Sequence, residues 1–120
     1  MKLNTATVAF IVGALSVFGA GISYAGEHEN HVAKARTHAQ AAVDAGQKGS
    51  ASNVAVHATQ ALEHAQQAEK AKADRHITEA ETHLNQAIEH GNKEHAPIAT
   101  DHAREAVRHL DMAYKGTTGE

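Results

Sequence analysis

Cysteine and tryptophan are both missing from this chain of 120 residues, and proline occurs once. Without cysteine there is no disulfide framework, no thiolate metal site and no lipid-anchored cysteine. Aromatic residues are almost absent: beyond residue 25 only Tyr114 remains, so a core has to be built from small aliphatic side chains. The formal charge of -3 leaves no basic patch, which argues against nucleic acid as a partner. No aligned base, nucleophile or buried carboxylate pair stands out, so the chain reads as a non-enzyme. Its length allows one modest domain.

What is present in excess is histidine. Of the ten intervals between the eleven histidines, six are seven residues long. The stretch "HITEAETHLNQAIEH" carries three at that spacing, among alanine, leucine and isoleucine. Histidine changes charge near neutral pH and is the commonest metal ligand.

Residues 1–25 read as a secretory signal that is cleaved. Lys2 is the only charge before Glu27, "TVAFIVGALSVFGAGI" is apolar, and "SYA" puts small residues at -3 and -1 of a cut after Ala25. The uncharged run is also long enough for a membrane anchor. Its glycines and serines and the small-x-small ending favour cleavage. The expected mature domain is 26–120, exported to a bacterial periplasm, with no stable membrane association once the signal is removed.

The remainder is a duplication. A shift of 45 residues lays 31–49 on 76–94 with 7 of 19 identities, and 50–70 on 95–115 with 7 of 21. Within each half the pattern recurs at 19 residues, His38 to His57 and His83 to His102. A repeat of this kind dictates architecture. Alanine is the best helix former, and Glu, Gln, Lys and Arg fill the other positions. Helices are expected over about 29–45, 51–71, 75–90 and 96–115. Gly46, Gly91 and Gly116 sit where C-caps belong, Ser50 and Asp74 where N-caps belong, and Pro97 in a first turn. Short joints make successive helices antiparallel neighbours. The expected fold is all-α: an up-down-up-down antiparallel four-helix bundle from two duplicated helical hairpins.

With the serial histidines at heptad position g, the apolar residues fall at a, d and e, the stripe of a core-facing helix. Val32, Ile77, Leu84 and Leu110 stand at a, whereas d is almost wholly alanine, from Ala35 to Ala113. This implies close helix approach and a thin core of modest stability, since small side chains bury little apolar area.

Successive histidines of one helix lie about 10 Å apart, too far to share an ion through bonds of about 2 Å. Their partners must come from the neighbouring helix. Antiparallel pairing gives the rungs His31–His64, His38–His57, His76–His109, His83–His102 and His90–His95. The two series positions without histidine, Ala45 and Ser50, face each other, so one whole rung is vacant. Glu79, four before His83, and Glu105, four before His109, are oxygen donors one turn away. Two or three donors per site suit several labile divalent ions, Cu(II) above Ni(II) and Zn(II). If cleavage follows Ala25, the free amino group of Gly26, the amides through Glu27 and the His28 imidazole can wrap a square-planar Cu(II) or Ni(II). A single histidine beside an apolar stripe is an ordinary surface residue; ten in register with matched vacancies are not.

The units "THAQAAVDAG", "VHATQALEHA", "THLNQAIEHG" and "DHAREAVRHL" resemble the heptad-type repeats of the small metal-binding protein family of bacterial periplasms. The likeness covers essentially all of 26–120. It implies an all-helical periplasmic protein that binds several copper or other divalent ions, for storage or detoxification. The vacancy at Ala45 and Ser50 leaves the ion count open. The other reading is a pH-responsive helical stress or interaction protein, whose mature net charge would move from -4 to +7 as eleven histidines protonate. Metal ions are the expected partner; a protein partner is not indicated.

Overall fold

Alanine-rich segments with Glu, Gln, Lys and Arg between them lose little side-chain entropy in a helix, and helix is what forms. The computed structural model describes residues 24–118. Four helices follow in order: α1 Tyr24–Gln47, α2 Ala51–Ala71, α3 Arg75–Asn92 and α4 Ala96–Thr118. The expected bounds of α2 hold, and α1 begins earlier than expected, taking in His28. No helix among the described residues is long and apolar enough to cross a membrane. The signal-sequence reading falls on residues outside the description, save for its last two.

Each helix packs antiparallel to its neighbours, closing a four-helix ring. Along α1 and α2, His31 meets His64 while Ser50 N donates to Ala45 O at 3.0 Å. Along α2 and α3, Thr78 reaches Glu69 and Gly91 lies against Ala51 and Ala55. Arg36 Nε donates to Asp111 Oδ1 at 2.6 Å between α1 and α4, its guanidinium 4.6 Å from the Tyr114 ring centroid. Of the two diagonals, α2 and α4 approach more closely.

The a and d stripes are the core. Every d alanine from Ala35 to Ala113 is fully buried, as are Val32, Val54, Ile77, Leu84 and Leu110. Ala96 is the a position left half-buried, at the start of α4. The e residues Leu62, Ile88 and Val107 only flank the core, whereas Val43 is buried.

The glycines do something other than cap. Gly46, Gly91 and Gly116 all lie inside helices, and the left-handed residues are Gly49 and Glu94, with φ of 78° and 62°. These two are equivalent under the 45-residue shift. Each forms a Schellman turn: Gly49 N donates to Gly46 O and Ser50 N to Ala45 O, as Glu94 N does to Gly91 O and His95 N to His90 O. Gly46 and Gly91 are instead points of close helix contact. A Cβ on Gly91 would lie 2.8 Å from Ala51 O, and one on Gly46 would meet the Thr100 side chain. Of the expected N-caps, Asp74 accepts from His76 N at 2.8 Å, whereas the Ser50 side chain makes no cap bond.

Two substitutions should separate these roles. Glu94→Gly relieves a left-handed non-glycine residue, which costs about 1 kcal/mol, and should raise the melting temperature by roughly 4–8 °C. Gly91→Ala should lower stability by about 1–3 kcal/mol despite alanine's better helix propensity, because backbone atoms of Ala51 and Ala55 and the fixed Ala55 Cβ stand in its way. Thermal denaturation followed by circular dichroism reads both, and opposite signs would refute the assignment.

Candidate metal centre

The thin alanine seam brings the g residues of adjoining helices together. On α3 and α4 all three expected rungs form. His83 and His102 place their Nδ1 atoms 3.4 Å apart, as do His90 and His95, and the His76 and His109 rings lie 5.9 Å apart between centroids. On α1 and α2, His31 and His64 meet at 3.1 Å between Nδ1 atoms. Two nitrogens held at about 2 Å around a tetrahedral ion stand about 3.3 Å apart. The His31–His64, His83–His102 and His90–His95 rungs already have about the separation that one shared ion requires.

His38 and His57 do not make the contact that spacing predicts. His38 stacks on His64, centroids 5.5 Å apart, and His57 Nδ1 is buried without a hydrogen-bond partner. The vacant rung is as expected, with Ala45 and Ser50 closing the α1–α2 turn where His90 and His95 close its twin.

The rungs are also joined diagonally, which spacing along one helix does not reveal. His83 stacks on His109 and His90 on His102, each at 5.6 Å between centroids. One continuous series results: His76, His109, His83, His102, His90, His95. In the first hairpin the series is only His31, His64, His38.

One rung has a third donor. Glu79 Oε2 lies 3.6 Å from His76 Nδ1 and 2.9 Å from His109 Nδ1, and the donor atoms of this triad all fall within 4.8 Å of one another. Both Nδ1 atoms are buried with the Glu79 carboxylate beside them, that of His109 at ion-pair distance. Two imidazole nitrogens and a carboxylate oxygen suit a borderline divalent cation. Spacing had associated Glu79 with His83, one turn on. The fold turns it to His76, three residues before, and to His109 across the seam. Glu105, counted as a donor beside His109, instead accepts from Arg108 at 3.0 Å. The duplication equivalent of Glu79 is Lys34, a cation, so the His31–His64 rung has no such third donor.

Gly26 and Glu27 are exposed in the first turns of α1. His28 is not: seven residues before Ala35, it occupies a d position, fully buried, with Nδ1 2.9 Å from Ala68 O and Nε2 unpartnered.

Two of the imidazoles, His64 and His102, resist protonation. Burial, reinforced by the charges of His31, His38 and Lys34, holds His64 below its ordinary value. Burial, then His83 and His90, does the same for His102. A base held below its unfolded value binds fewer protons when folded, so the metal-free protein loses stability as pH falls below 6.5 through the folded value. Melting temperatures between pH 7.5 and 5 should therefore fall, and fall less in His64→Asn and His102→Asn. A flat or rising profile would contradict the stacked geometry.

Comparison with curated proteins gives no match. The profile described as small metal-binding protein matches residues 2–113, a span that takes in every histidine of the rungs. By that match across almost its whole length, the chain belongs to the small metal-binding protein family.

Proposed function

We propose that this protein buffers divalent transition-metal ions in the periplasm, holding several per chain through histidines paired between neighbouring helices. Cu(II) is the preferred cargo, with Ni(II) and Zn(II) weaker, in the affinity order of nitrogen and oxygen donors. The role is binding for storage or detoxification rather than catalysis. The observation that carries the reading is the convergence of the His76 and His109 Nδ1 atoms on the Glu79 carboxylate. Membership of a metal-binding family supports it.

The tightest rung is His76–Glu79–His109, since it alone combines two imidazoles with a carboxylate. The other rungs complete their coordination with water and exchange ions readily. The Gly26–Glu27–His28 chelate belongs to the proposal on two conditions. The signal must be cut after Ala25, and the first turn of α1 must unwind to draw His28 from the core, so this site competes with folding.

A pH-responsive interaction protein is the second reading, favoured by the lowered values of His64 and His102. The two readings separate on one point. Ions that bind the folded chain raise its melting temperature, whereas a device answering only to protons is indifferent to them.

Titration of the metal-stripped protein with Cu(II) should show several equivalents at pH 7.5, released as the histidines protonate. Glu79→Gln should weaken the tightest of the rung equivalents, next to the tighter Gly26–Glu27–His28 chelate where that forms, by about 10–100-fold, and Lys34→Glu should create a second rung of comparable strength. A single weak equivalent, untouched by Glu79→Gln, would end the metal reading.

A further inference from the structure

We propose that the six adjoining histidine rings of α3 and α4 form a track along which a bound ion is passed within one chain, from the His90–His95 end to the Glu79 end. The inference rests on the metal-binding reading above and adds a movement to it.

The spacing comes first. Each inner ring of the series has a neighbour on both sides, and all five successive centroid separations lie between 5.6 and 5.9 Å. The diagonal neighbour is thus as near as the rung partner, and no rung is isolated from the next. An ion held by His83 and His102 has His90 on one side and His109 on the other. It can form a bond to the next imidazole before releasing the last. The exchange replaces one neutral imidazole by another and the metal keeps its oxidation state; where an Nδ1 donates to its rung partner, its proton moves to Nε2 by way of solvent as the ion arrives and returns as it leaves.

The two ends differ, which gives the track a direction. His90 and His95 lie at the Schellman turn and their contact is exposed to solvent, so they are the loading end. His76 and His109 are only 29% and 20% exposed and have Glu79 beside them, a third donor and, among the described residues, the only anionic one in contact with the series. An ion gains a carboxylate on arrival and is held there.

The first hairpin serves as an internal comparison, and it departs from the second at all three points. Its turn carries Ala45 and Ser50 where the loading histidines would be. Its stack ends at His38, with His57 outside it. Lys34 stands where the terminal carboxylate would be. Loading end, continuity and terminus occur together in one copy of the duplication and are missing together from the other.

The test is stopped-flow mixing of one equivalent of Cu(II) with the full mature chain in which His28, His31, His38, His57 and His64 are changed to asparagine, followed in the visible spectrum. Circular dichroism checks that each variant is helical. The expected result is a fast phase proportional to protein concentration, then a slower first-order phase independent of it, ending in a spectrum that Glu79→Gln lacks. Removing the middle rung, with His83→Asn and His102→Asn together, should slow arrival of that spectrum at least tenfold and make its rate depend on protein concentration. Single substitutions should slow it less. A late phase that scales with concentration in the unbroken chain, or arrival at an unchanged rate in the broken one, would overturn the track and leave metal binding intact. No copper-dependent spectrum in any variant would overturn both.

Discussion

Where two helices meet through alanine and glycine, their axes draw together and the residues at the edge of the seam come within reach of each other. Here that edge is position g, and position g is histidine. Bulkier d residues would widen the seam and part the imidazoles, whose Nδ1 atoms now stand 3.1 to 3.4 Å apart. The core is therefore sized for the rungs as much as for stability. Gly46 against Thr100 and Gly91 against Ala55 set the same closeness at the turn-proximal end of the bundle.

Duplication supplied two hairpins with one backbone plan, and the plan is obeyed down to the hydrogen bonds of the turns. Gly49 and Glu94 share a left-handed conformation although only one of them is glycine. The side chains at the seam edge have diverged. Glu79 against Lys34 and His90–His95 against Ala45–Ser50 make the second hairpin rich in donors and the first poorer. One fold thus carries two different ligand fields.

The heptad register was legible because every g, a and d position repeats without interruption within a helix. From it followed the four helices, the buried alanines and four of the five rungs. What escaped were features set by three-dimensional proximity. A glycine near a helix end looks like a cap whether it supplies a positive φ or a close contact, and only the partner helix decides between them. His28 falls at a d position by counting back from Ala35, whereas a cut after Ala25 would make the same imidazole a ligand at the start of the chain. Glu79 is equally one turn from His76 and from His83; which it serves depends on His109 across the seam. The diagonal stacks depend on axial stagger between helices, which spacing along one helix does not contain.

A core of alanine has a further consequence, in the response to heat. The heat capacity gained on unfolding scales with the apolar surface exposed, and typical domains show about 12–15 cal/mol/K per residue. With Val32, Val54, Ile77, Leu84 and Leu110 as the only large apolar side chains fully buried among the described residues, this bundle exposes less of that surface. Its free energy of folding follows a shallow curve with temperature, giving a broad plateau instead of a sharp optimum.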